Sequence, residues 1–516
     1  MNSRFVAVKL LLPFLALLSV AQESPAPEQE SPVTTLHANT RLVVLDVVVT
    51  DKKGAPIRDL SQSDFMVLED GKEQSISSFE PPDEHRPVTI ENDSADENTL
   101  PQGGSPKIGA APLTILVFDS MNTKIMDQAF ARFEIKKFLV AHGPRLSEPT
   151  ALMAVEENRL ELLHDYTRDA KALEAALQQH RAELPSRLLS GMGFSDIYSA
   201  TDPVEASERF ADTIGALREI ATANTQFAGR KNVIWIGPGF PSLDHVNVPP
   251  AAKSRLYIWG RETMDLISQA RLVVYTLNPR GLEVYPDEVL SPMTNELAFE
   301  SIASLTGGRI FRGLNDLDSQ IESGIEDGEA YYAIGYYPSN RNWDGTFRRV
   351  RVLMRNSNVT ARTRAGYYGD EQTAPTYQQL DTLLSRAVIN PLPYHALAVQ
   401  ATAKVSGSQN QTASLTVEVD ASGLHWQNEP GDKYKSEITI AAAGFSAKGK
   451  VVAQNVKELE VLVDDTKYAL LLKHGMVVNL AMALPPTAVR MRVVARDSTN
   501  GNMGTADLTP TGEQFH

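Results

Sequence analysis

Hydrophobic and polar positions alternate along residues 40–80. In RLVVLDVVVTDKKG, Val43, Leu45, Val47 and Val49 share one face, the period-two pattern of a half-buried strand. FMVLE and QSISSFE flank Asp70-Gly71, a dipeptide that tolerates positive φ and predicts a hairpin. This stretch therefore reads as a small N-terminal β domain. From residue 111 the period changes. LTILVF (113–118) is a continuous apolar run, expected of a strand buried on both faces. A helical stripe of Ala131, Ile135 and Phe138 follows, then two strands in a hairpin (ALMAVEE, RLELLHDYT) and a helix over 169–181. Asp202 and Pro203 announce another helix by cap and first-turn proline, with Val204, Ala211, Ile214 and Leu217 as its stripe. NVIWIG, a helix over 253–270, RLVVYTL, a helix over 295–305, RIF and a helix capped by Asn315 or Asp316 complete the series. Strand and helix alternating in this way predict an α/β domain over 111–328, doubly wound around a mostly parallel sheet.

Beyond it, EAYYAIGYYPS and FRRVRVLM read as strands joined by a turn at Asp344-Gly345, a β-hairpin extension over 329–370. Residues 371–395 read as a helix-containing connector. Alternation then returns over 396–512 with no amphipathic helix predicted, the pattern of a C-terminal β-sandwich. Two stretches are poor in large apolar residues and rich in Pro and acidic residues. Residues 22–39 and the acidic Pro/Gly-rich 81–110 are read as linkers.

The first residues carry a different signal. Arg4 and Lys9 precede an apolar core from Leu10 to Leu18, and Ser19-Val20-Ala21 places small residues before a cut between Ala21 and Gln22. That is the layout of a cleaved secretory signal over 1–21, and the apolar core is shorter than the roughly 20 residues of a membrane anchor. The expectation is a secreted or periplasmic protein with no membrane span in the mature chain. The net charge of −15 argues against nucleic acid and bare anionic membrane as partners. The absence of cysteine removes disulfides, thiolate metal sites and cysteine nucleophiles together.

In open α/β sheets ligands gather at the carboxyl ends of strands. Asp119 ends the first apolar strand, with Ser120, Asn122 and Thr123 around it, and such oxygens suit a hard cation. With this strand exit, the α/β alternation and the flanking β regions, the domain resembles a von Willebrand factor A (VWA) domain. The whole chain resembles the bacterial VWFA-related domain proteins of the Acidobacteria type. The resemblance rests on LTILVFDSMNT, GRKNVIWIGPGFP, TGGRIFRGLNDLDSQIESGIEDGEAYYAIGYYPSN, FRRVRVLM with RAGYYG, VRMRVVARDSTNGNMG and the N-terminal strands.

That resemblance implies a metal-ion-dependent adhesion site whose first loop reads Asp-x-Ser-x-Ser, with a Thr from a second loop and an Asp after the fourth strand. Asp119 and Thr123 match, and Ser195 takes the place of the second-loop Thr. Met121 stands where the middle Ser belongs, and a thioether suits Mg²⁺ poorly. Pro238 lies near the position of the last Asp, with no carboxylate before Asp244. Two readings stay open: a degenerate site holding Mg²⁺ or Mn²⁺ weakly through Asp119, Thr123 and Ser195, or an Asp119 that caps its loop by accepting backbone N–H bonds. Ser120, Met121, Asn122, Asp196 and Pro238 are the loop residues expected to meet a partner.

Other motifs give no catalytic residue. SGMGFS (190–195) lacks a third glycine, GFSAKG (444–449) has Lys448 in place of a nucleophile elbow's last glycine, and LPPTA (484–488) reads as a turn. The Tyr pairs 331–332, 336–337 and 367–368 read as core packing rather than an aromatic binding face. The function expected is non-enzymatic binding of an unidentified extracytoplasmic protein. An envelope-polymer hydrolase with a site between domains, or an inert structural component, are the alternatives.

Overall fold

The computed structural model describes residues 41–85, 112–181, 202–225, 227, 229–240, 243, 246–279, 299–311, 317–370, 377–407, 411–510 and 514–515. The predicted signal, its cut at Ala21–Gln22, the linker 22–39 and most of the linker 81–110 lie outside them, as do Ser195, Asp196 and Asp244. Among the described residues, no helix is long and apolar enough to cross a membrane.

The α/β module is built on a six-stranded sheet. Its strands, labelled in chain order, are β1 (Leu113–Asp119), β2 (Arg145–Glu156), β3 (Arg159–Asp169), β4 (Lys231–Ile236), β5 (Leu272–Leu277) and β6 (Ile310–Phe311). They lie in the order β6-β5-β4-β1-β2-β3. All neighbours are parallel except β3, which returns antiparallel along β2 as its hairpin partner. The helices are α1 (Ile125–Ala141), α2 (Ala170–Gln179), α3 (Pro203–Asn224), α4 (Pro250–Gln269), α5 (Phe299–Thr306) and α6 (Leu317–Glu329).

Alternate residues of β1 explain its apolar run. Leu116 and Phe118 pack with Ile135, Leu173 and Ile321 of α1, α2 and α6. Ile115 and Val117 pack with Phe210, Ile214, Ile267 and Ile302 of α3, α4 and α5. A strand covered on both faces has no side free for polar residues. Asp202 caps α3 as expected, its side chain accepting from the backbone N–H of Val204 and Glu205. Val204 itself is exposed, so the buried stripe of α3 starts at Ala206.

The two β segments flanking this module are one sandwich, which corrects their separation into a domain at 40–80 and a hairpin at 329–370. Val43–Asp51 pairs antiparallel with Tyr331–Tyr336, Val43 opposite Tyr336, and Phe65–Glu69 pairs with Phe347–Met354. Tyr331–Tyr336 and Phe347–Met354 belong to different four-stranded sheets and do not form a hairpin. Residues 337–346, with their Asp344-Gly345 turn, carry the chain across from one sheet to the other. The physical reason is burial. Neither segment alone can cover its apolar face, whereas together Leu45, Val47, Phe65, Tyr332, Ile334 and Val350 close a core. Tyr331, Tyr332, Tyr336 and Tyr367 are buried in or beside that core, as packing requires, whereas Tyr337 is 50% exposed and Tyr368 is half-buried. The α/β module is thus an insertion between the sandwich strands Ile76–Glu80 and Tyr331–Tyr336.

The sandwich docks at the amino ends of the parallel strands. Asp46 forms an ion pair with Arg271, the residue before β5. Arg364 donates to Ser268 and to the Val44 carbonyl, and Arg362 pairs with Asp327 and donates to the Gly307 carbonyl.

The connector contains a helix, Tyr377–Ile389, seated on the last sandwich by two buried arginines. Arg496 donates to the Leu380 carbonyl at 2.6 Å, and Arg492 donates to the Leu392 carbonyl at 3.2 Å while pairing with Asp507. The C-terminal region is two sheets, as predicted, with one difference: Asp465–His474 is a helix. Asp464 caps it and Gly475 ends it, but no residue in it is buried. It therefore leaves no apolar stripe in the sequence. LPPTA is the turn between the strands Met476–Leu484 and Ala488–Asp497.

Candidate functional site

Asp119 sits where β1 leaves the sheet, in the middle of the carboxyl edge, between the exits of β2 and β4. Its carboxylate is fully buried. Oδ1 accepts from the Asn122 backbone N–H and the Asn122 side-chain amide, both at 3.0 Å. Oδ2 accepts from the same amide, the Trp235 indole N–H and the Gly239 backbone N–H, each at 3.1 Å. Burial pushes the carboxyl above its ordinary range, while the Asn122 and Trp235 donors and the Arg209 charge pull it back. Every neighbour within reach donates, so the ionised form is the one this environment accommodates.

The rest of the loop is used internally. The Ser120 hydroxyl donates to the Val155 carbonyl at 2.8 Å, and the Gln128 side chain ties the Ser120 and Thr123 carbonyls at 2.8 and 2.9 Å. Asn122 donates to Thr213 at 3.1 Å and accepts from Arg209 Nε at 2.8 Å, both on α3. No residue of 119–123 is more than 4% exposed. The strand exit of β4 seals it. A Cβ on Gly237 would lie 2.5 Å from Asp119 Cβ, and one on Gly239, whose φ is +68°, would lie 2.1 Å from the Phe299 ring. Phe210, Phe240, Phe299 and Trp235 form a chain of ring contacts over this edge, with centroids 4.5–5.4 Å apart.

These residues do not fit Mg²⁺ or Mn²⁺. A carboxylate has about four lone-pair directions, and five N–H contacts fill them. Thr123 Oγ1 is buried with no hydrogen-bond partner, yet it faces Gly237 and an already satisfied carboxylate rather than a polar cage. The Met121 side chain is in the core. The expectation that Ser120, Met121 and Asn122 meet a partner is overturned by the same burial, because the loop folds inward to satisfy Asp119. Pro238 is half-buried and is the one predicted loop residue at the surface among those described. Arg209, Thr213, Trp235 and Gly239 were not foreseen. The sequence carries no signal for them, since an arginine on a helix reads as solvated until its burial is known.

Among the described residues, one cluster outside this loop has ligand-like spacing: Glu156, Glu161 and His180. His180 Nε2 lies 3.0 Å from Glu156 and 3.9 Å from Glu161. Arg132 lies 2.7 Å from His180 Nδ1. A guanidinium only donates, so Nδ1 is the acceptor and Nε2 carries the proton toward Glu156. That tautomer occupies the nitrogen a metal would need, and the group reads as a clamp on the end of α2. In the stretch 444–449, Gly444 to Ser446 end a strand and 447–449 form the hairpin turn, with Gly449 N–H donating to the Ser446 carbonyl.

No protein-family model and no curated protein matches the chain. Among solved structures, the N-terminal domain of TFIIH p34 is similar at 16% identity over 42% of this chain and 96% of that one, with a TM-score of 0.22. The pilus adhesin SpaC of Lactobacillus rhamnosus GG, in an open conformation, is similar at 9% identity over 79% and 67%, with a TM-score of 0.28. The SpRpn10 VWA domain is similar at 13% identity over 33% and 89%, with a TM-score of 0.16. At these scores none of the three settles the fold or the function.

Proposed function

We propose that the chain is an extracytoplasmic, non-enzymatic interaction protein whose VWA-like α/β module binds a protein partner without a metal ion at Asp119. The single observation carrying this reading is the Asp119 carboxylate, placed at the carboxyl edge of the innermost strand and consumed by internal donors. An edge built for catalysis keeps a nucleophile, a base or an open metal position, and among the described residues the Asp119 loop spends its polar groups on internal bonds. The motif resemblance to VWFA-related proteins and the leader-like first 21 residues support the compartment and the kind of partner. The contact surface we assign is the edge around Pro238, since residues 120–122 are enclosed.

The test is capture of partners from envelope extracts by the full mature chain, in EDTA and in Mg²⁺, with Pro238→Arg as the surface variant. Equal capture in both buffers and loss on Pro238→Arg are expected. Capture only with divalent ion, or turnover in a screen of polysaccharide and peptide substrates, would overturn the reading.

A further inference from the structure

We infer that Asn122 and Arg209 together take the place of a cation at Asp119. The Asn122 amide nitrogen reaches both carboxylate oxygens, at 3.0 and 3.1 Å, so one donor group spans the whole carboxylate. Its third contact is the Thr213 hydroxyl at 3.1 Å, which itself donates to the Arg209 carbonyl at 2.8 Å. On the far side, Asn122 Oδ1 accepts from Arg209 Nε at 2.8 Å. A carboxylate only accepts and a guanidinium only donates, so the amide between them has one orientation that satisfies both. The positive charge is supplied by Arg209, 3% exposed and one helical turn after Glu205, whose carboxylate lies 3.7 Å away. Helical spacing puts Arg209 and Thr213 on one face, so a single element delivers both contacts.

This accounts for Met121 being tolerated in the core. With the charge balanced from within, no oxygen is required there, and restoring one does not make an ion site. The assignment concerns charge and folding at the loop and involves no partner, so its failure leaves the interaction reading standing.

The experiment is a double-mutant cycle by urea unfolding of the full mature chain, using Asp119→Asn, Arg209→Gln and the pair. If Arg209 is the counter-charge of Asp119, removing both costs less than the product of the single effects, with coupling of at least about tenfold in the unfolding constant. Multiplicative single effects would overturn the assignment. Met121→Ser completes an Asp-x-Ser-x-Thr pattern and decides the matter even if Asp119→Asn does not fold. No Mn²⁺-dependent rise in its melting midpoint is expected, and a rise that saturates with Mn²⁺ would refute the inference.

Discussion

Asp119→Ala separates a metal site from an internal cap, because the two assign its cost to different states. Truncation removes the acceptor for four donor groups. The Asn122 amide keeps Thr213, but the Asn122 backbone N–H, the Trp235 indole and the Gly239 N–H have no other partner among the described residues. A buried donor left unsatisfied costs about 1–3 kcal/mol, so three cost about 3–9 kcal/mol. Global stability for folded domains is about 5–15 kcal/mol, so the lower half of that range already shifts a transition visibly. The assay is urea unfolding followed by tryptophan fluorescence, with Trp235 buried beside the site, in EDTA and in millimolar Mg²⁺. The cap predicts the same large loss in both buffers and an identical wild-type midpoint in each. A site holding an ion in the folded state alone must show a wild-type midpoint that rises with Mg²⁺. If EDTA lowers the wild-type midpoint to that of Asp119→Ala, and the variant ignores both, the carboxylate is an ion ligand and the internal cap is refuted.

Three further outcomes follow from buried groups. Glu148, pushed up to about 8 from 4.5 by burial and then by Glu329, holds its proton in the folded state across a span of about 3.5 units. The folded state then binds more protons than the unfolded one, so stability falls as pH rises from about 4.5 to 8, by at most about 5 kcal/mol at 1.36 kcal/mol per unit. Glu148→Gln should flatten that part of the stability–pH curve, and parallel curves for the two proteins would contradict the assignment. Gly239→Ala forces a Cβ toward the Phe299 ring at positive φ and should cost about 1–3 kcal/mol in a thermal melt; an unchanged midpoint would mean the aromatic seal is loose. Asp46→Ala breaks the ion pair with Arg271 where the sandwich meets the α/β module and should cost about 3–5 kcal/mol by urea unfolding, with Arg271→Ala adding little on top.

The α/β module was legible because its signals are local. The unbroken run of β1 and the Asp202 cap of α3 each declare themselves within a few residues. The sandwich was not, because period two states which face of Val43–Asp51 is buried and says nothing about which strand lies beside it. Its partner, Tyr331–Tyr336, comes after the whole inserted module. The helix Asp465–His474 escaped for the opposite reason: it buries nothing, so its apolar residues follow no stripe. At the site, Met121 was a readable sign that the oxygen pattern is broken. What replaces the ion was unreadable, since Arg209 meets Asn122 across 87 positions and an arginine in a helix resembles any solvated one until its burial is known.

Under the interaction role proposed above, the insertion also bears on where a partner would approach. Each ion pair and hydrogen bond named between the first sandwich and the α/β module lands at the amino ends of the parallel strands or the carboxyl ends of their helices, on Arg271, Ser268, Gly307 and Asp327. Asp119, Gly237 and Pro238 lie at the opposite end of the same strands. A module held at one end by buried charges presents its other end in a fixed attitude, and binding then costs little ordering of the surface. The closed loop under that surface serves the same purpose. Its five carboxylate contacts and aromatic seal tie the exits of β1 and β4 together from below, where an ion-dependent loop would rearrange as the ion came and went. On this view Asp119 retains its position at the strand exit because it fastens the exits of β1 and β4 to one another, and its contribution to recognition is the shape it holds rather than any contact it makes.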